Sequence, residues 1–166
     1  MTTQQKATEL LSEDHREVLK RLDDLDVIIT GADSGLDMSR LNDHGEFMKY
    51  DIWAHFIKEE EALFPEIEKF IPRDDGPTGV MLEEHEDLRK TNERFQVALA
   101  RLNENASDVE ARDVVKREGQ HIISVLRPHI DKEDNILFMM ADMHLDSDQN
   151  RTMLELFHSI DQREAR

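Results

Sequence analysis

A ten-residue segment of this chain occurs twice, and any fold must accommodate both copies. His55-Phe56-Ile57-Lys58-Glu59-Glu60-Glu61-Ala62-Leu63-Phe64 returns as His129-Ile130-Asp131-Lys132-Glu133-Asp134-Asn135-Ile136-Leu137-Phe138. Alignment pairs His55 with His129, Lys58 with Lys132, Glu59 with Glu133, Glu60 with Asp134, Leu63 with Leu137 and Phe64 with Phe138. On a helix, a step of four residues turns through about 400°, so a His and a Glu at that spacing lie about 40° apart on one face. Each copy therefore aims an imidazole and a carboxylate at the same point.

The duplication extends upstream. Asp14-His15 and Glu84-His85 are acid-His pairs that open helical runs, and each precedes its His-x-x-x-Glu copy by some 40 residues in the sequence. The two halves together offer four histidines and two glutamates: His15, His55, Glu59, His85, His129 and Glu133.

The apolar spacing around these residues is helical throughout. Leu11, Val18, Leu22, Leu25 and Ile29 mark a first helix over about 8–30, and Gly31 is placed for a left-handed cap before the break that ends at Gly35. A second helix spans about 38–70 with a kink or restart expected near Pro65, and Ile71-Pro72-Arg73-Asp74-Asp75-Gly76-Pro77 is the clearest break in the chain. A third spans about 78–104. Ser107-Asp108-Val109-Glu110 reads as a capping box opening a fourth that continues to about Met140, with Ile136 and Leu137 inward and Pro128 bending it. A short amphipathic run over about 148–163 is an accessory helix. No segment alternates at period two for long enough to form a strand.

The expected class is all-α: an antiparallel up-down-up-down four-helix bundle over residues 1–145, with 146–166 as an extra C-terminal helix and tail of the same domain. In that arrangement His15, His55, His85 and His129 lie at similar depths, about 15 to 21 residues from one end of the bundle, and can meet at one level.

Composition narrows the chemistry. Lys and Arg number 21 against 38 Asp and Glu, a formal charge of −17, which repels nucleic acid and anionic membranes. There is no Cys, so disulfides, thiolate nucleophiles and Cys-ligated metals are excluded, and any metal must be held by imidazole and carboxylate. No apolar run approaches the roughly 20 residues of a membrane span. Met1-Thr2-Thr3-Gln4-Gln5-Lys6 is not followed by the apolar stretch of a secretion signal, and the cytoplasm is the expected compartment.

Six unpaired imidazoles and carboxylates in a bundle core would cost several kcal/mol, and a bound cation reverses that cost. Imidazole suits iron, zinc, copper or nickel; two carboxylates from separate repeats suit two ions side by side, bridged by Glu59 and Glu133 with histidines as terminal ligands. His44, His121, His144 and His158 fall outside this set, as do Tyr50 and Trp53, which read as packing residues. Met81, Met139, Met140 and Met143 read as core filling. Glu118-Gly119-Gln120-His121 and Glu155-Leu156-Phe157-His158 match the Glu-x-x-His motif of ferritin-like bundles but share no flanking similarity.

The order His, His-x-x-x-Glu, His, His-x-x-x-Glu resembles that of the hemerythrin-like (HHE cation-binding) domains over roughly Leu10 to Met140. The resemblance implies two non-haem iron ions, oxo- or hydroxo-bridged, with His15, His55, His85 and His129 as terminal ligands and Glu59 and Glu133 as bridges. Classical oxygen-carrying members have a further His one turn before the His of the third helix. Here that position is Met81, and its mate is Leu11, so the chain is more similar to the bacterial and sensor-type relatives. These imply a small ligand, dioxygen, nitric oxide or peroxide, bound for sensing, storage or scavenging by a monomer or weak homodimer. An enzyme turning over peroxide or nitric oxide, and a structural module stapled by a metal such as zinc, are the competing expectations.

Overall fold

In the computed structural model, which describes residues 3–31 and 35–165, every regular element is helical. Helix α1 is Ala7–Thr30. Helix α2 covers residues 38–67, α-helical at Met38–Glu46, Ile52–Lys58 and Phe64–Ile67 and wound as π-turns at Phe47–Asp51 and Glu59–Leu63. A 3₁₀ turn, Arg73–Asp75, leads to α3, Pro77–Glu104. Helix α4 covers 109–144, through Val109–Lys132, a π-turn at Glu133–Leu137, and Phe138–His144. Helix α5 is Ser147–Arg163. None of these is long and apolar enough to cross a membrane.

Local chemistry sets the boundaries. Asp37, Asp108 and Asp146 each accept a backbone N–H three residues on, satisfying a donor that the first helical turn leaves free. The cap of α4 is thus Asp108 alone, in place of the expected Ser107–Glu110 box, and the Glu110 carboxylate instead faces Arg101. Pro77 sits in the first turn of α3, where its missing N–H costs nothing. Gly31 does not form the expected left-handed cap: its φ is −81°, and the positive φ falls at Gly35. The intervening residues of that break, 32–34, lie outside the described residues. Helix α4 runs through Pro128 within one continuous α-helical segment.

Contacts between the helices run in opposite residue order. Asp24 meets His44 while His15 meets His55; Asn42 bonds Asn103 while Glu60 bonds Arg89; Arg101 bonds Asp108 while His85 meets His129; Thr8 bonds Asp142 while Asp23 bonds Arg127. The core divides into two apolar clusters. The larger is built on Leu25, Ile29, Leu41, Phe95, Leu102 and Val115, and the smaller on Leu11, Leu63, Phe64, Met81, Leu137, Phe138, Met153 and Phe157.

The π-turns move side chains from where a regular helix would put them. In each repeat the turn starts at the glutamate: Phe64 N–H reaches Glu59 O, and Phe138 N–H reaches Glu133 O. The inserted residue retards the face, and π-turns of this kind are frequent at functional sites. After Glu133 a regular helix would turn 136, 137 and 140 inward; the buried residues are Leu137, Phe138 and Ala141 instead. Ile136, expected inside, is 55% exposed, and so are Met139 at 59% and Met143 at 79%, which are not core-filling. Met81 is buried as expected. In the first copy Pro65 has no N–H for Glu61 O, which favours the wider turn just before it; Met139 stands in that place in the second copy, so proline is not its only cause.

The accessory helix breaks the repeat symmetry. Helix α5 packs on Ile52–Lys58 and Glu59–Leu63 with Met153, Phe157 and Ile160 buried, tied by Lys58–Asp161 and Arg163–Glu61 ion pairs. Ala62 is buried there, whereas its mate Ile136 is exposed.

Candidate metal centre

His15 lies on α1, His55 and Glu59 on α2, His85 on α3, and His129 and Glu133 on α4. All six are at most 4% exposed. Their ligating atoms form two groups: His15, His55, Glu59 and Glu133; and Glu59, His85, His129 and Glu133. Within each group these atoms lie within 4.8 Å of one another.

The two glutamates belong to both groups, and the distances show how. Glu59 Oε1 is 2.9 Å from His55 Nε2, while Glu59 Oε2 is 3.2 Å from His85 Nε2. Glu133 Oε2 is 3.0 Å from His15 Nε2, while Glu133 Oε1 is 3.1 Å from His129 Nε2. Each carboxylate gives one oxygen to each group. The Nε2 atoms of His15 and His55 are 3.0 Å apart, and those of His85 and His129 are 3.2 Å apart.

A second ring of carboxylates holds the outer nitrogens. His15 Nδ1 is 2.8 Å from Asp134 Oδ1, His55 Nδ1 is 3.1 Å from Asp14 Oδ2, and His129 Nδ1 is 2.6 Å from Glu84 Oε2. His85 Nδ1 has Glu60 Oε1 at 3.5 Å, a looser contact that leaves this nitrogen without a good hydrogen bond. The pattern follows the repeat: Asp14 and Glu84 serve the His-x-x-x-Glu histidine of their own half, and Asp134 and Glu60 serve the lone histidine of the other. Aromatic rings obey the same crossing, with Phe138 stacked on His15 at 5.5 Å and Phe64 on His85 at 5.8 Å.

An ionised carboxylate can only accept, so Asp14, Asp134 and Glu84 require N–H at the Nδ1 of their histidines. A neutral ring then turns a lone pair inward at Nε2. All four oxygens of Glu59 and Glu133 are buried without a geometrically acceptable hydrogen bond. The centre therefore brings together lone pairs and carboxylate oxygens with no donor between them, an arrangement that needs positive charge. The residues fit a pair of cations.

Protons are the alternative positive charge. Burial pushes the His55 and His129 imidazoles down, but the charges of Glu59 and Glu133 and the Asp14 and Glu84 hydrogen bonds outweigh it and raise both to about 10. His15 and His85 are raised against burial by their own carboxylate neighbours. Burial would raise the Glu59 carboxyl, yet the His55 charge, with His85 alongside, holds it well below the usual range. A metal entering the cation-free centre displaces these protons.

The remaining histidines have other partners. His44 is buried against Asp24, His121 meets Asp87 near the surface, His144 stacks on Phe70, and His158 bonds Gln162. Glu118 of the ferritin-like string is held by Arg94 and Arg117. Among the described residues neither Glu-x-x-His string joins a metal-type group. Glu60 and Asp134, five residues after the His of their own copy, point about 140° away from it and reach the His of the other half. The roles of Asp14 and Glu84 were missed by sequence reasoning, although their duplication as acid-His pairs was the signal. Phe56 had none, because its mate is Ile130.

The family model described as the hemerythrin HHE cation binding domain matches residues 6–141, a span that takes in all six central side chains and the outer carboxylates. No curated protein and no solved structure matches the chain.

Proposed function

Because the chain belongs to the hemerythrin HHE cation-binding family, we propose that its buried His/Glu cluster holds two iron ions and binds a small ligand, dioxygen or nitric oxide, for sensing, storage or scavenging. The observation that carries the reading is the sharing of Glu59 and Glu133, each giving one oxygen to each of two four-residue groups. The opposed contacts between successive helices support an antiparallel up-down-up-down bundle around that cluster, with α5 as an accessory.

Each residue has a defined task. His15 and His55 serve one ion and His85 and His129 the other, while Glu59 and Glu133 span both. Asp14, Asp134 and Glu84 hold the rings in the tautomer that presents Nε2 inward, and Phe56, Phe64 and Phe138 exclude water. The chemistry that paired iron supplies is a change of oxidation state and free positions for a small ligand, since two imidazoles and two bridging oxygens leave either ion below six-coordination. Met81, at the position where oxygen-carrying relatives would have a further imidazole, is buried with its mate Leu11 in the apolar cluster beside the site.

Metal analysis of the purified protein with its visible spectrum before and after azide tests the reading. Two irons per chain, one for each group, with an azide-sensitive charge-transfer band, is the expected result. A single zinc whose removal unfolds the chain, with no band, would replace it with a structural staple. Sustained turnover of peroxide or nitric oxide above that of free iron would replace it with an enzyme.

A further inference from the structure

One helical turn from the cluster, α2, α3 and α4 line a small apolar pocket that opens to solvent at its rim. Ile52 lies three residues before His55, Leu88 three after His85 and Leu126 three before His129; with Met48, Phe56 and Ile122 they form its buried floor and walls. Trp53, Arg89 and Asn92, only partly buried, form its rim. The centre of a water-sized guest has about 20 Å³ in which to move, enough for one very small molecule. Water is a poor occupant because it needs two or more polar partners, and the floor offers none. At the rim, Asn92 accepts from Gln96, and Arg89 bonds Glu60 at 2.5 Å with its guanidinium 4.1 Å above the Trp53 ring.

Phe56 is the wall between this cavity and the cluster. Its ring stacks on His85 at 4.0 Å and 17° and meets His129 edge-on at 6.1 Å. The rim connects to the same histidine by a second path, since the Glu60 carboxylate that holds Arg89 also faces His85 Nδ1.

We propose that this cavity is a binding site for a single apolar diatomic molecule, of the class of dioxygen or nitric oxide, from which the guest passes Phe56 to the His/Glu cluster. Size selects a guest of a few atoms, and the apolar floor selects against water and anions. The Trp53–Arg89 pair flanks the mouth, and Phe56 forms the inner end. Delivery rests on the metal reading above; the guest site does not.

Xenon, a non-reactive apolar probe of similar size, separates the two parts. Methyl spectra of the protein under rising xenon pressure should show saturable shifts at Ile52, Leu88, Ile122 and Leu126, lost in folded Ile122→Phe. No saturable shift, or the same shift in that variant, overturns the guest site. With iron loaded, Ile122→Phe should slow nitric oxide association about tenfold, the effect of about 1.4 kcal/mol of added barrier, while the end-point spectrum is unchanged. Trp53→Ala, on the partly buried rim and outside the ligand set, should speed association and serves if Ile122→Phe fails to fold. Unchanged rates in the folded variants overturn delivery. If the loaded wild-type protein forms no nitric oxide complex, delivery falls with the metal reading, and the xenon titration decides the guest site by itself.

Discussion

The Glu84–His129 contact allows the sharpest test of the outer carboxylates. At 2.6 Å it is the shortest of the four, and Glu84 is also held by Lys132, so its position is determined from both sides. Glu84→Gln keeps an acceptor and removes the charge. A hydrogen bond to a charged group contributes about 1.5–3 kcal/mol against about 0.5–1.5 for a neutral one, so the loss is about 1–1.5 kcal/mol. That corresponds to about five- to tenfold weaker binding of the ion that His129 serves, and Glu84→Ala should approach the 10–100-fold loss typical of outer-sphere partners. Asp14→Asn should cost less, because that contact is 3.1 Å and the Asp14 side chain is 45% exposed, where water screens the charge. Competition with a chelator of known affinity, using zinc as a redox-silent probe, reads the ordering. Equal affinities in all three variants, or a larger loss for Asp14→Asn, would refute the idea that these carboxylates set ring basicity.

Four further outcomes follow from the geometry. Glu59→Gln and Glu133→Gln should each lower metal content at both positions, since each side chain serves both groups; mass spectrometry showing one full site and one empty site in either variant would contradict the bridging role. In the cation-free protein His55 and His129 are raised from 6.5 to about 10, so their stabilising contribution is full below pH 6.5 and is lost as pH rises through 10, and urea midpoints should fall over that window. Metal affinity should move the other way, increasing with pH as fewer protons have to be displaced, with proton release visible by calorimetry in buffers of different ionisation enthalpy. Phe95→Ala, a fully buried ring in the larger cluster and away from the ligands, should cost about 3–5 kcal/mol in urea unfolding without altering metal stoichiometry.

The convergence of the six His and Glu side chains could be read from the sequence because it rests on short-range geometry. The spacing of His55 to Glu59 and of His129 to Glu133 puts each pair on one helical face whatever the rest of the chain does, and duplication supplied the second half. Helix positions were legible for the same reason: apolar spacing and breaks such as Ile71–Pro77 act within a few residues. Buried positions could also be read as far as the period of 3.6 holds. It fails at Glu133–Leu137, where the π-turn exposes Ile136 and moves Phe138 inward.

Partner choice was decided by the tertiary structure. Asp134 and Glu60 act on histidines of the opposite half, and no spacing along one helix can report a contact across 119 residues, as between His15 and Asp134. The same holds for Lys58 and Lys132, mates in sequence, of which one pairs with Asp161 of the accessory helix and the other with Glu84. The Phe56 partition and its apolar cavity exist only where three helices meet. The sequence by itself determined which side chains point toward a common centre, because a helix converts spacing into direction. What surrounds and tunes that centre depends on how the helices pack, and packing is a property of their mutual arrangement.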